Sequence, residues 1–144
     1  MILMRLIRLL KLPSSWVHLV LLIALSLLFI NIGIDHFVNP DFYRNIMPAY
    51  LPMHTEAIYI SGFFEILGGV AILFPKLRSM AGWGLVLLLI VVSPVNIHMA
   101  VNPNLFPDIP LSFLYIRLVL QFIIIYWTYF ATQLSPQKDV LALK

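Results

Sequence analysis

Residues 16–37 read WVHLVLLIALSLLFINIGIDHF, and this stretch decides the fold. From Trp16 to Ile34 it holds no Asp, Glu, Lys or Arg. A helix of about 20 residues covers the hydrocarbon core of about 30 Å at about 1.5 Å rise per residue. The run follows Pro13-Ser14-Ser15, and proline with a serine cap suits a helix start. Arg5, Arg8 and Lys11 precede it, as in a secretory leader. The apolar run is longer than the roughly 7–15 residues of a signal-peptide core. No small-x-small cleavage site comes before Asp35, so the segment reads as a retained first span.

Working outward, three more apolar segments predict helices over 57–74, 81–101 and 111–131. Prolines punctuate them: Pro75 stops the second, Asn102-Pro103 the third, and Pro110 precedes the fourth. Only Pro94 falls inside a span, where it should free the Ile90 carbonyl and kink the helix. The fold class expected is an all-α transmembrane four-helix bundle in one domain, residues 1–144. Composition agrees: 62% of residues are hydrophobic and 10% charged, against about 25% charged in soluble domains. No cysteine is present, which removes disulfides, thiolate nucleophiles and thiol–disulfide exchange as this chain's own chemistry. Basic residues do not alternate with aromatics, so nucleic acid is not an expected partner.

Orientation follows from Lys and Arg. Arg5, Arg8, Lys11, Lys76, Arg78, Lys138 and Lys144 fall on one side, and Arg44 alone on the other. The positive-inside rule then puts both termini in the cytoplasm, and the form suits a bacterial inner membrane. Trp16, Trp83 and Trp127 fall near the inner ends, as interfacial anchors would. Residues 1–12 read equally as a basic amphipathic surface helix or as a frayed leader. The outer connection over 38–56 is too apolar for a free loop. It is expected to lie along the interface or fold over the bundle mouth.

Polar residues inside the spans carry the functional signal, because charges there are costly and face a bundle interior or a cavity. Counted from the outer ends, Glu65 lies about 12 Å deep and Arg117 about 9 Å. Asn31 and Asp35 on the first span, and Asn96 on the third, reach the same layer. His36 and His98 sit near its upper edge, and Gln121 lies one turn below Arg117. A Glu65–Arg117 ion pair, or a triad with Asp35, is the expected arrangement, either as a clamp on helix register or as a functional site. Asn31 and Gln121 suit interhelical hydrogen bonds, and Asn31 with Asp35 at i, i+4 would extend the network. His36 and His98 suit hydrogen bonding, with proton transfer or metal ligation as the alternatives. With no Cys and no His pair at i, i+4, no zinc site is expected. Ser61, Gly62, Gly68 and Gly69 flank Glu65 and favour close helix approach over a ligand groove.

Several strings, in order along the chain, resemble the DoxX-like family of small four-span membrane proteins. They are Gly33-Ile34-Asp35-His36-Phe37 with Pro40, Tyr43, Pro48 and Leu51-Pro52, then Ser61-Gly62-Phe63-Phe64-Glu65 with Gly68-Gly69. Pro94-Val95-Asn96-Ile97-His98-Met99 and Arg117-Leu118-Val119-Leu120-Gln121 follow. The resemblance covers about residues 16–131. It implies a four-helix bundle associated with redox systems, as a membrane subunit of quinone-linked oxidoreductases or a partner of detoxifying enzymes. No catalytic residue carries over from it.

Two functions follow as expectations. In the first, an outer-half pocket with Glu65, Arg117, His36 and His98 holds a quinone head group or similar lipid. Electrons then come from a soluble or membrane redox partner, since no haem, flavin or nucleotide motif is present. In the second, the chain is a non-enzymatic scaffold or a small-solute or lipid carrier, the carrier form as a homodimer. A lipid-modifying enzyme using Glu65 as acid or base is a third reading.

Overall fold

The computed structural model describes residues 16–133, and its described part is all-α. Five α-helices follow one another: α1 Trp16–Val38, α2 Pro40–Ile46, α3 His54–Ala71, α4 Pro75–Val101 and α5 Leu111–Gln133. A 3-10 turn, Pro103–Leu105, joins the last two. The Pro13-Ser14-Ser15 start, the basic leader, Lys138 and Lys144 lie outside the described residues. Helices α1, α4 and α5 are long and apolar enough to cross a membrane.

Two boundaries differ from the sequence expectation. Helix α3 covers His54–Ala71 rather than 57–74, because Met53, at a left-handed φ of 55°, turns the chain into it three residues early. Helix α4 begins at Pro75 rather than at 81. Proline at the first helical position has no N–H to lose there and arrives with a helical φ, so Pro75 starts a helix as well as ending one. Lys76 and Arg78 therefore sit in the first turn of α4, not in a loop. Arg78 is buried, and its guanidinium donates to the Ile72 carbonyl at 2.9 Å and the Leu73 carbonyl at 3.3 Å. It caps the end of α3, which otherwise leaves carbonyls without partners.

The four long helices pack in a ring, in the order α1, α3, α4, α5, with α1 returning to α5 only weakly. Between helices whose outer faces are apolar, close packing and hydrogen bonds replace the hydrophobic effect as the cohesive force. Gly33 and Gly62 let α1 and α3 touch backbone to backbone. Ser26 Oγ donates to the Gly69 carbonyl across the same contact at 2.6 Å. On the other side, Gly82 admits Thr132, and Ser79 and Gln133 exchange hydrogen bonds of 2.6 and 2.9 Å between α4 and α5. One apolar core, with Leu22, Leu25, Phe29, Ile72, Leu85, Leu89 and Ala131, fills the end of the ring away from α2. At the α2 end a smaller cluster joins Ile46 to Met99 and Leu114. The connection before α3 thus folds over the mouth of the ring.

Candidate functional site

Between these two clusters lies a cavity of about 360 Å³. All four long helices and α2 supply polar groups to it: His36, Tyr43, Ser61, Glu65, Asn96, Arg117 and Gln121. Five of the eight sequence candidates, His36, Glu65, Asn96, Arg117 and Gln121, therefore meet in one place.

The expected Glu65–Arg117 ion pair is not formed. Both residues line the cavity, but α3 and α5 stand diagonally across the ring with α1 and α4 between them. Equal depth brought the two charges to one layer without making them neighbours. Glu65 faces α1 instead, with Oε2 2.9 Å from His36 Nδ1. The contact is off the line of a ring N–H···O bond, so neither atom has an aligned hydrogen-bond partner although both are buried. Both side chains line the cavity, so a group bound there would meet a carboxyl and an imidazole side by side.

Arg117 turns toward α4. It donates to Asn96 Oδ1 at 3.1 Å and toward the Met99 sulfur at 3.5 Å. A guanidinium has five N–H donors, and a thioether is a weak acceptor. Among the described residues no carboxylate pairs with Arg117. Asn96 also donates to Gln121 Oε1, and Gln121 Nε2 donates to the Leu89 carbonyl at 2.5 Å and to Ser93 Oγ at 2.8 Å. Gln121 is thus the interhelical tie expected of it. Ser93 also donates to the Leu89 carbonyl at 2.8 Å. These bonds run through the turn ahead of Pro94.

Three candidates lie elsewhere. Asn31 is exposed and donates to the Leu27 carbonyl of its own helix, so it neither reaches another helix nor joins Asp35. Asp35 does not join a triad. Its carboxylate accepts from Tyr43 OH at 2.7 Å and from Asn39 at 2.5 Å, because α2 folds back beside it. His98 is held near Asn102, with its ring edge-on to Tyr50 and Phe106. Among the described residues, no group of three or more His, Cys, Asp and Glu is placed to hold a metal.

Sequence reasoning missed Tyr43 and Ser61 as cavity residues. Tyr43 packs its ring edge-on to His36, with centroids 4.0 Å apart, while its hydroxyl holds Asp35. Burial, and then the bond to Asp35, push the phenol above its ordinary value. The usable signal was the apolar, aromatic character of the connection over 38–56, which marked it as packed.

Fold and site together define a class: a small all-α membrane protein whose helices surround a polar chamber. The model of a domain of unknown function, DUF8561, matches residues 25–132, and the chain belongs to that family. Comparison with curated proteins gave no match, and neither did comparison with solved structures.

Proposed function

We propose that the chain crosses a bacterial inner membrane four times, with both ends in the cytoplasm. We propose further that it is a membrane subunit or partner of a quinone-linked or detoxifying redox system, holding a quinone-like head group in its cavity. The resemblance to the DoxX-like family supports the redox association. The observation that carries the reading is the convergence of Glu65, His36, Asn96 and Arg117 on one chamber, with Arg117 short of acceptors. A quinone offers such acceptors at its carbonyls. The His36–Glu65 pair is placed to supply or take up protons when a bound ring is reduced or oxidised.

A fourth crossing by α3 is supported by where its residues face. Ser61 and Glu65 are buried within the ring, while Ile60, Phe63, Phe64, Leu67 and Val70 form the exposed side. Its 18 residues reach about 27 Å, close to the hydrocarbon thickness. The topology is tested with single cysteines in this cysteine-free chain. A membrane-impermeant maleimide added to intact cells should label a cysteine at Asn102 and spare one at Lys76. The reverse pattern, or labelling of both, refutes the orientation.

The function is tested by titrating purified protein with ubiquinone and menaquinone analogues. Saturable binding is expected, weakened at least about tenfold, or about 1.4 kcal/mol, by Glu65→Gln and by Arg117→Ala. No binding, or binding indifferent to both changes, removes the reading. A scaffold role is favoured by one observation, the Asn96–Gln121–Arg117 bonds that tie α4 to α5. Lost stability without any ligand effect in Asn96→Ala would support it.

A further inference from the structure

Most sides of the chamber are closed. Toward the α2 end, Tyr43, Ile46 and Met47 lie across it, and Ile46 is sealed against Met99 and Leu114. Toward the other end, the core around Leu25, Phe29 and Leu85 blocks it. Between α1 and α3 the backbones touch at Gly33 and Gly62, and between α4 and α5 Gln121 bridges the gap. The lining residues of α3 and α4 are buried or half-buried.

The seam between α1 and α5 is different. It is closed in its cytoplasmic half, where His18 stacks on Phe130 and where Ile124, Ile125 and Trp127 pack against the core. Beyond Ile124, toward the outer side, the polar contacts of α1 stay within that helix or go to α3, Asn39 and α2. The exposed lining residues of the chamber all lie on α2 and on α5: Phe42, Phe113 and Leu120, at 43%, 48% and 46% exposure. Phe113, Leu120 and Ile124 are spaced seven and four apart, which puts them on one face of α5. An apolar strip therefore leads from the bundle exterior to the polar groups within.

From this geometry we infer that the chamber is reached sideways, through the outer half of the α1–α5 seam. Its ligand is a membrane-dissolved amphiphile whose compact polar head sits among Glu65, Asn96 and Arg117. An apolar tail leaves over Phe113 and Leu120 into the outer leaflet. The inference rests on the membrane topology and head-group site proposed above. The chamber's volume is at the low end of ligand pockets, which run from about 300 to 1,000 Å³, so it takes a ring and not a long chain as well. The strip bears no charge or hydroxyl, so a hydrated solute gains nothing along it, whereas an acyl or isoprenoid chain already lies in such surroundings. A second, larger groove between α3 and α4, lined by Phe64, Leu67, Met80, Gly84 and Leu87, is apolar throughout and offers no head-group contacts.

Two photoreactive decylubiquinones test this with the full chain in lipid nanodiscs, one carrying an azide on the ring and one a diazirine at the tail end. The ring probe should label the segments around Tyr43, Ser61 or Asn96, and the tail probe residues 113–124 or the region of Ile32. Leu120→Trp, which fills the seam, should cut tail labelling there at least about fivefold. Leu87→Trp, in the other groove, should leave it unchanged. Ring labelling in the chamber with tail labelling around Phe64 and Leu87, or at the α2 connection, overturns sideways access while the head-group site stands. Labelling indifferent to Leu120→Trp does the same. Absence of ring labelling in the chamber overturns the head-group site, and the route to it falls with it.

Discussion

Gly33→Ala is expected to loosen the α1–α3 contact and disturb the chamber with it. A Cβ on Gly33 would lie 2.6 Å from the Gly62 carbonyl oxygen and 2.7 Å from Ile66 Cγ1, whereas ordinary contact begins at 3.4 Å. Both the oxygen and its neighbour Ile66 N belong to backbone, so no side chain can simply swing aside. Going from 2.6 to 3.4 Å, the two helices must part by about 0.8 Å. His36 and Glu65 each lie three residues on from the two glycines, so their 2.9 Å contact would open to about 3.7 Å. Overpacking of this kind costs about 1–3 kcal/mol. Any glycine-to-alanine change in a helix also gains up to about 1 kcal/mol of propensity. Gly84→Ala isolates that gain, because a Cβ at Gly84 meets nothing within 4 Å. The two variants should thus differ in unfolding free energy by about 1–3 kcal/mol. The assay is loss of helical circular dichroism on titrating sodium dodecyl sulfate into mixed micelles. Equal stabilities for the two variants would refute the close contact, and with it the placement of His36 against Glu65.

Three other changes probe the remaining supports. Arg78→Lys offers one nitrogen where two carbonyls are now bonded, and should lower stability by about 1.5–3 kcal/mol in the same titration. Gln121→Leu removes the ties to Leu89, Ser93 and Asn96. Interhelical bonds in lipid average about 0.6 kcal/mol and reach about 1.7, so a loss of about 1–2 kcal/mol is expected. Tyr43→Phe tests the phenol's raised pKa. Because the folded state holds the proton more tightly than the unfolded chain, the hydroxyl's stabilisation is complete below the ordinary value of 10 and declines as pH rises above it. The stability difference between wild type and Tyr43→Phe should be constant from pH 7 to about pH 9 and shrink by pH 11. A difference that grows with pH would contradict the placement.

Much of this arrangement is legible in the sequence, and what is not has a common cause. Hydrophobic runs and prolines locate the helices because both act locally: an apolar segment is apolar whatever it packs against, and Pro103 ends a helix by its own stereochemistry. Pro75 is ambiguous in the sequence, because a proline closes one helix and opens the next equally well, and only the direction of the following turn tells which. The depth of a polar residue along a span is also local, so the layer holding Glu65, Asn96, Arg117 and Gln121 could be found by counting.

Partnership within the layer is not local. It depends on which helices are adjacent and how each is rotated, and four helices of similar length and polarity admit several orders around a ring. Charge matching favoured Glu65 with Arg117, but it weighs only one term. Glycine placement weighs another: Gly33 on α1 and Gly62 on α3 each stand one turn from a polar residue, His36 and Glu65 respectively. Small residues mark where backbones approach most closely, and polar groups one turn away from such a point are brought within reach of each other. Weighed together, the glycines pair His36 with Glu65 and leave Arg117 to α4, where Asn96 and Met99 accept from it. The same reasoning explains why the cationic side chain remains short of partners in a low-dielectric site. The helix bearing its natural counter-ion is held on the far side of the chamber by a contact that has nothing to do with charge.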